Sequence, residues 1–237
     1  MTLQRVNPIL FALMVGLPAF SQVQFFEQDV SGLIPHAGFK YSSGIQEYSL
    51  GIEYNIDGRI SLGFEFAKPV SDTFSFDDKL RAYKVNPYAI FEFVEPGNLN
   101  NFSFAIRGDF IHENTNKDTP TEGDTAMLNS FRRTALGGGP MFSLRIFGSE
   151  KVTMVPSVFY EFFYVSYHRD KLQNLSGDND DGYYLWHDLT AGYALQYRFD
   201  EFNGVTFDPR IGLEFGEGRS KDDLLSFSVR FGYSRSF

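Results

Sequence analysis

The chain has four histidines, His36, His112, His168 and His187, the residue type most used as a general acid or base. Two of them stand beside acids, in His168-Arg169-Asp170 and His187-Asp188. Hydrolysis needs a base, a carboxylate that orients it and a nucleophile within reach. Ser166 and Ser176 supply nearby hydroxyls, but their spacing fixes no geometry. The plainer reading is of histidines at the ends of elements or in loops, and no catalytic residue is assigned. His36 and His112 stand in no recognisable motif. Ser176–Gly182 (SGDNDDG) is acidic and glycine-bearing, like a calcium loop. Such a loop wants glycine at its sixth position and a glutamate at its twelfth. Opening at Ser176 makes Gly182 the seventh residue, and opening at Asp178 puts Leu189 at the twelfth. It reads as a solvated acidic loop with at most weak affinity for divalent cations. Arg132, Arg133, Arg169 and Lys171 suit lipid phosphates or are ordinary loop charges. No nucleotide or zinc motif occurs, so no metal and no cofactor is expected.

Composition narrows the class of protein. The 237 residues include no cysteine, which excludes disulfides, thiol nucleophiles and cysteine-ligated zinc. A net charge of −9 argues against nucleic acid as a partner. Aromatic residues make up 17% of the chain, yet mean hydropathy is −0.23. Apolar and polar residues must therefore be interleaved. Residues 1–21 have the pattern of an export signal. Arg5 precedes the apolar run Ile9–Leu17, and Ala19-Phe20-Ser21 predicts cleavage before Gln22. Losing Arg5 with this leader would take the net charge to −10. No later segment approaches the roughly 18 apolar residues of a spanning helix.

From Ile34 onward the pattern is alternation with period two, the signature of strands. In 59–68, Ile60, Leu62, Phe64 and Phe66 fall on one face, with Arg59, Ser61, Gly63 and Glu65 on the other. Tyr48, Leu50, Ile52, Tyr54 and Ile56 repeat this one strand earlier, and Asp57-Gly58 has the chemistry of a tight hairpin turn. Strands are predicted at 34–42, 46–56, 59–68, 81–94, 101–112, 131–147, 151–167, 183–199, 204–216 and 224–237. Short connections alternate with longer polar ones near 67–82, 112–130, 167–183 and 216–223. The expectation is all-β: an antiparallel, up-and-down transmembrane β-barrel of about ten strands, with eight the next count. Residues 22–33 would be a short periplasmic segment and 34–237 the barrel, with both termini in the periplasm. Pro87, Pro140, Pro156 and Pro209 fall inside these strands, where each removes a ladder donor, and are read as bulges or near-interface positions. Gly137-Gly138-Gly139 is read as a sharp bend.

Volume assigns the faces. A barrel of eight to ten strands has an interior only just filled by side chains. The aromatic face is too bulky for it and is expected to meet lipid. The other face, rich in Gly, Ser, Ala, Thr and charges, would line the lumen. There Arg59, Lys84, Arg107, Arg145, Arg198, Arg210 and Arg230 are set against Glu65, Glu92, Asp109, Glu161 and Glu214. Lys40, Glu47, Glu53, Asp188 and Asp208 share that face. Charges removed from bulk water need partners, so a cross-linked, occluded lumen is expected. Tyr83, Tyr164, Tyr167, Tyr183 and Tyr184 would form an outer girdle, and Tyr54, Tyr197, Phe199 and Tyr233 an inner one.

The last strand ends Leu225, Phe227, Val229, Phe231, Tyr233, Arg235, Phe237. It resembles the carboxy-terminal insertion signal of bacterial outer-membrane barrels, in Val229, Phe231, Tyr233 and terminal Phe237. Arg235 departs from that pattern, where an apolar residue is usual. In architecture the chain is similar to small OmpA/OmpX-type barrels. The resemblance implies a bacterial outer-membrane location, handling by the barrel-insertion machinery, and a bilayer with lipopolysaccharide as surroundings. The function expected is non-enzymatic: envelope integrity or surface interaction through the outer loops, with the surface ligand unknown. A narrow channel or carrier for small solutes or apolar compounds is the alternative, and a hydrolase at the outer rim a third.

Overall fold

The computed structural model describes residues 31–42, 45–71, 80–94, 102–117, 128–147, 151–171, 180–216 and 225–237. Within them the chain forms ten barrel strands: β1 (Gly32–Ser42), β2 (Ile45–Ile56), β3 (Ile60–Ser71), β4 (Leu80–Val94), β5 (Phe102–Lys117), β6 (Leu128–Leu144), β7 (Val152–Lys171), β8 (Asp180–Arg198), β9 (Asn203–Gly216) and β10 (Leu225–Ser236). Beyond Arg145, Ile146–Phe147 continues β6 along β7. Each strand pairs antiparallel with its neighbours in sequence, and β1 pairs with β10, so no edge is left open. The fold is an up-and-down barrel of ten strands, as the alternation predicts.

Following directly opposed residues around the wall gives the tilt. The path runs from Phe215 through His187, Phe162, Gly138, Gly108 and Ala89. It continues through Leu62, Tyr54, Leu33 and Arg235 and re-enters β9 at Asn203, twelve residues from its start. A shear of twelve over ten strands corresponds to a tilt of roughly 40°. One circuit therefore climbs roughly 30 Å, about the height of a membrane belt.

The exterior is apolar. Phe64, Phe66, Leu50, Leu136, Phe227 and Phe231 are all exposed, Leu50 by 67%. Inward-register positions such as Ser61, Glu53, Arg107, Asp208 and Ser226 are buried. Polar residues inside and bare aromatics outside a closed wall are the arrangement of a membrane-spanning barrel, since lipid offers backbone groups no partner and closure satisfies them. Among the described residues no helix is long and apolar enough to cross a membrane.

Local chemistry explains the details. Asp57 and Gly58 both take positive φ (51° and 71°), closing the β2–β3 hairpin. Each of the four prolines Pro87, Pro140, Pro156 and Pro209 sits at a gap in the pairing register on one side only. Pro87 pairs with Phe64, while the β4–β5 ladder jumps from Val85 to Tyr88. Pro209 pairs with Val229, and the β9–β8 ladder skips from Phe207 to Arg210. Pro140 and Pro156 likewise keep a partner on one side and border interruptions between β6 and β7 on the other.

Three expectations need correction at their edges. The strands on one side run further than the apolar pattern does: β5 reaches Lys117, β6 starts at Leu128, β7 reaches Lys171 and β8 starts at Asp180. Backbone pairing does not require alternation, so polar sequences such as His112–Lys117 continue the ladder past the apolar belt. The barrel begins at Gly32, two residues before the expected start. Residues 1–30, with the export signal and most of the 22–33 segment, lie outside the described residues, as do 176–179 of the acidic run. Its remainder, Asp180–Gly182, belongs to β8.

Candidate functional site: the lumen

The inward residues of the ten strands form a charge network whose bridges reach over intervening strands. Lys84 on β4 spans β3 to reach Glu47 on β2 at 2.9 Å. Lys40 on β1 reaches Glu214 on β9 at 2.6 Å. Arg230 on β10 crosses to Glu65 on β3 at 3.0 Å, and the imidazole of His36 lies 3.4 Å from the same carboxylate. Arg107 grips Asp109 through Nε (2.7 Å) and Nη2 (2.6 Å), and lies 3.9 Å from Glu161 on β7. Arg210 holds Asp208 with two donors in the same way. Asn86 donates to Asp109 at 2.9 Å, Tyr88 donates to Glu53 at 2.8 Å, and the Arg107 guanidinium lies 4.1 Å over the Tyr88 ring.

Glycines make room for these contacts. A Cβ on Gly137 or Gly139 would strike the carbonyls of Phe162 or Tyr160, and one on Gly138 (φ 154°) the carbonyl of Arg107. The Gly137–Gly139 run therefore brings β6 hard against both neighbours and leaves its wall bare between Arg107 and Glu161. A second pattern recurs: His36 lies opposite Gly51, Tyr88 opposite Gly63, Phe163 opposite Gly137 and Tyr167 opposite Gly182. In each pair a Cβ on the glycine would collide with the ring. The ring covers the bare strand beside it.

The lumen is less polar than its alternation implies. Tyr88, Ile90, Ala105, Met141 and Phe159 form one buried cluster. Ile111, Ala135, Phe163, Val165 and Trp186 form another, packed by Tyr184. Volume excludes a full aromatic face from the lumen but admits a few rings seated over glycines. Sequence reading missed Tyr88, Phe159, Phe163 and Trp186 as lumen residues, together with His36 and Asn86. For His36, Tyr88, Phe163 and Trp186 the signal was an inward-register ring facing a glycine one strand away; Phe159, opposed to Met141 and Thr190, had none. Correspondingly, Tyr167 and Tyr184 turn inward and contact each other, while Tyr83, Tyr164 and Tyr183 stay in the outer girdle. Tyr54, Tyr197, Phe199 and Tyr233 are exposed at the opposite edge.

The remaining assigned residues are placed as follows. Arg59 lies in the 57–59 turn with an exposed side chain, at the barrel's edge and outside the central network, because the hairpin closes there. Glu92 and Arg198 are half-buried near the same end, and Arg145 is buried. Phe231, Tyr233 and Phe237 are exposed and Val229 is half-buried, with Phe237 stacked on Tyr54 at 6.2 Å. Arg235 is exposed at the lower end of the climbing path.

The network lines a cavity of about 130 Å³, with Lys40, Glu47, Asn86, Glu161 and Asp188 among its walls. Sites for organic ligands usually exceed about 300 Å³, so this space suits a few waters. Among the described residues no group of histidines and acids could hold a metal.

The four histidines are distributed over four strands, β1, β5, β7 and β8. His168 contacts Asp181 on the exterior of the protruding rim, beside Arg132. Ser166, one step below on that face, makes no hydrogen bond with them. Arg132 and Arg133 split: Arg132 is exposed, whereas Arg133 turns inward to Glu113 and lies 5.2 Å over Trp186.

Among solved structures, the β-domain of the Bordetella autotransporter BrkA is 12% identical, with 88% of this chain and 99% of that chain covered and a TM-score of 0.48. The translocator domain of the autotransporter NalP from Neisseria meningitidis is 10% identical, with coverages of 97% and 94% and a TM-score of 0.49. The outer-membrane protease OmpT from Escherichia coli is 7% identical, with coverages of 91% and 99% and a TM-score of 0.44. No protein-family model and no curated protein matches the chain.

Proposed function

We propose that the chain is a closed, non-enzymatic barrel of a bacterial outer membrane, exported by its residues 1–21. It acts in envelope integrity or in surface contact through its outer segments. The observation that carries this reading is the lumen, where the Lys84–Glu47, Lys40–Glu214, Arg230–Glu65 and Arg107–Asp109 bridges crowd a cavity of about 130 Å³. A hydrated ion needs a continuous wet path, and two apolar clusters line part of the wall it would follow. Surface partners then have the outer segments and rim to bind, with lipopolysaccharide the nearest candidate.

Conductance across planar bilayers tests the reading. The native barrel is expected to be silent in potassium and sodium chloride. Arg107→Ala and Glu161→Ala, which remove the side chains facing each other across Gly137–Gly139, are expected to admit measurable current. Steady current from the native protein would instead favour the channel reading. Shortening the outer connections within 118–127 and 172–179 leaves the ladder whole, because β5, β6, β7 and β8 are paired up to those points. Such variants should insert normally and lose surface binding, and full retention of binding would move the partner site elsewhere.

A further inference from the structure

His187 lies on the outer wall, opposite Phe162 on β7 and Phe215 on β9, between the inward-facing Trp186 and Asp188. An ionisable ring on a lipid-facing wall is costly and calls for a partner. Part of that partner is visible. The Tyr160 hydroxyl lies 2.7 Å from Nδ1 of His187. The ring is stacked on Phe215 (5.2 Å, 5°) and flanked by Phe162 (5.1 Å). A phenol is the stronger acid and an imidazole nitrogen the stronger base, so Tyr160 donates to Nδ1. The proton of the neutral ring is then on Nε2, which meets no polar partner among the described residues.

Height decides what can reach it. His187 is one strand from Phe215 at the top of the climbing path, near the last residue of β9. Tilt therefore lifts it to the outer edge of the apolar belt, although Leu185 and Tyr183 continue β8 above it. That is the level at which acyl chains join their head groups. Among the described residues, the outward ones around it, Leu185, Leu189, Phe162, Tyr164 and Phe215, include no cation, so a neutral acceptor fits better than a phosphate.

We propose that His187, oriented by Tyr160 and clamped by Phe162 and Phe215, binds an outer-leaflet acyl lipid through the lipid's ester carbonyl, to which Nε2–H donates. This rests on the barrel spanning a membrane, but not on a closed lumen.

The test uses the folded full chain, ¹⁵N-labelled on histidine, in bicelles of a diacyl phosphatidylcholine or of its diether analogue, which lacks the carbonyls. In diester lipid the ring proton is expected on Nε2, with Nδ1 accepting from Tyr160. The Nε2 resonance should shift on exchange into diether lipid, while that of His36 in the lumen stays still. His187→Phe keeps the aromatic clamp and should retain diester lipid about fivefold less well in native mass spectrometry, the worth of one hydrogen bond. Tyr160→Phe should redistribute the ring proton between the two nitrogens. A proton on Nδ1, a charged ring, or identical spectra in the two lipids would overturn the proposal. So would a shift that follows the phosphate when a maltoside detergent replaces phosphocholine. Failure to enter bicelles at all would instead count against the membrane reading.

Discussion

At the scale of the residue, stability rests on satisfying charges that the alternation has turned inward. Glu53 is 1% exposed, and the Tyr88 hydroxyl is its donor. Tyr88→Phe keeps the ring over Gly63 but leaves a buried carboxylate short of a donor. A loss of about 1–3 kcal/mol is expected, read by urea unfolding in lipid vesicles. An unchanged midpoint would show that Glu53 finds another donor. Outside the membrane, Asp200 in the β8–β9 turn is held below the ordinary carboxylate pKa of 3.8, first by the Asn203 side chain and then by backbone N–H groups of Phe202 and Asn203. A depressed folded pKa stabilises the turn above the ordinary value, and this is lost as pH falls through the depressed one. An NMR titration should place the Asp200 midpoint below 3.8, and Asn203→Ala should raise it.

At the scale of the element, prolines and glycines set where the ladder breaks and where strands crowd. Pro209 faces a gap in the β8 register, so Pro209→Ala restores a donor that has no ladder partner. It should still insert, at a cost of about 1–3 kcal/mol for the unpaired donor. Phe207→Pro, at a position paired with both Leu195 and Phe231, should abolish the fast-migrating folded band on unboiled gels. Equal behaviour of the two variants would refute the gap. The strands were legible because Leu62, Phe64 and Phe66 alternate with Ser61, Gly63 and Glu65, and period two admits one register. Lys84, Arg107, Glu161 and Arg230 followed from that register as inward positions, and the structure gives each a specific partner. Which carboxylate Lys40, Lys84 and Arg230 meet was not legible, because their bridges skip strands and depend on the shear, whereas Arg107–Asp109 and Arg210–Asp208 join residues two apart on one strand. The inward rings were missed because volume was judged for a whole face and not ring by ring. The far ends of β5–β8 were missed because their polar residues carry no periodic signal.

At the scale of the whole molecule, an inside-out barrel explains why mean hydropathy is negative while the exterior is aromatic. Closure removes every edge, tilt carries one circuit of the wall through about the height of the belt, and the lumen spends its volume on ion pairs and rings. The absence of cysteine allows a direct test of that arrangement, since single cysteines can be placed from 60 to 67 along β3 and spin-labelled in vesicles. The account predicts that labels at 62, 64 and 66 collide with oxygen dissolved in the bilayer, while those at 61, 63, 65 and 67 are shielded from it. Shielding at 62, 64 and 66 with the charged positions open to lipid, or no alternation at all, would contradict it.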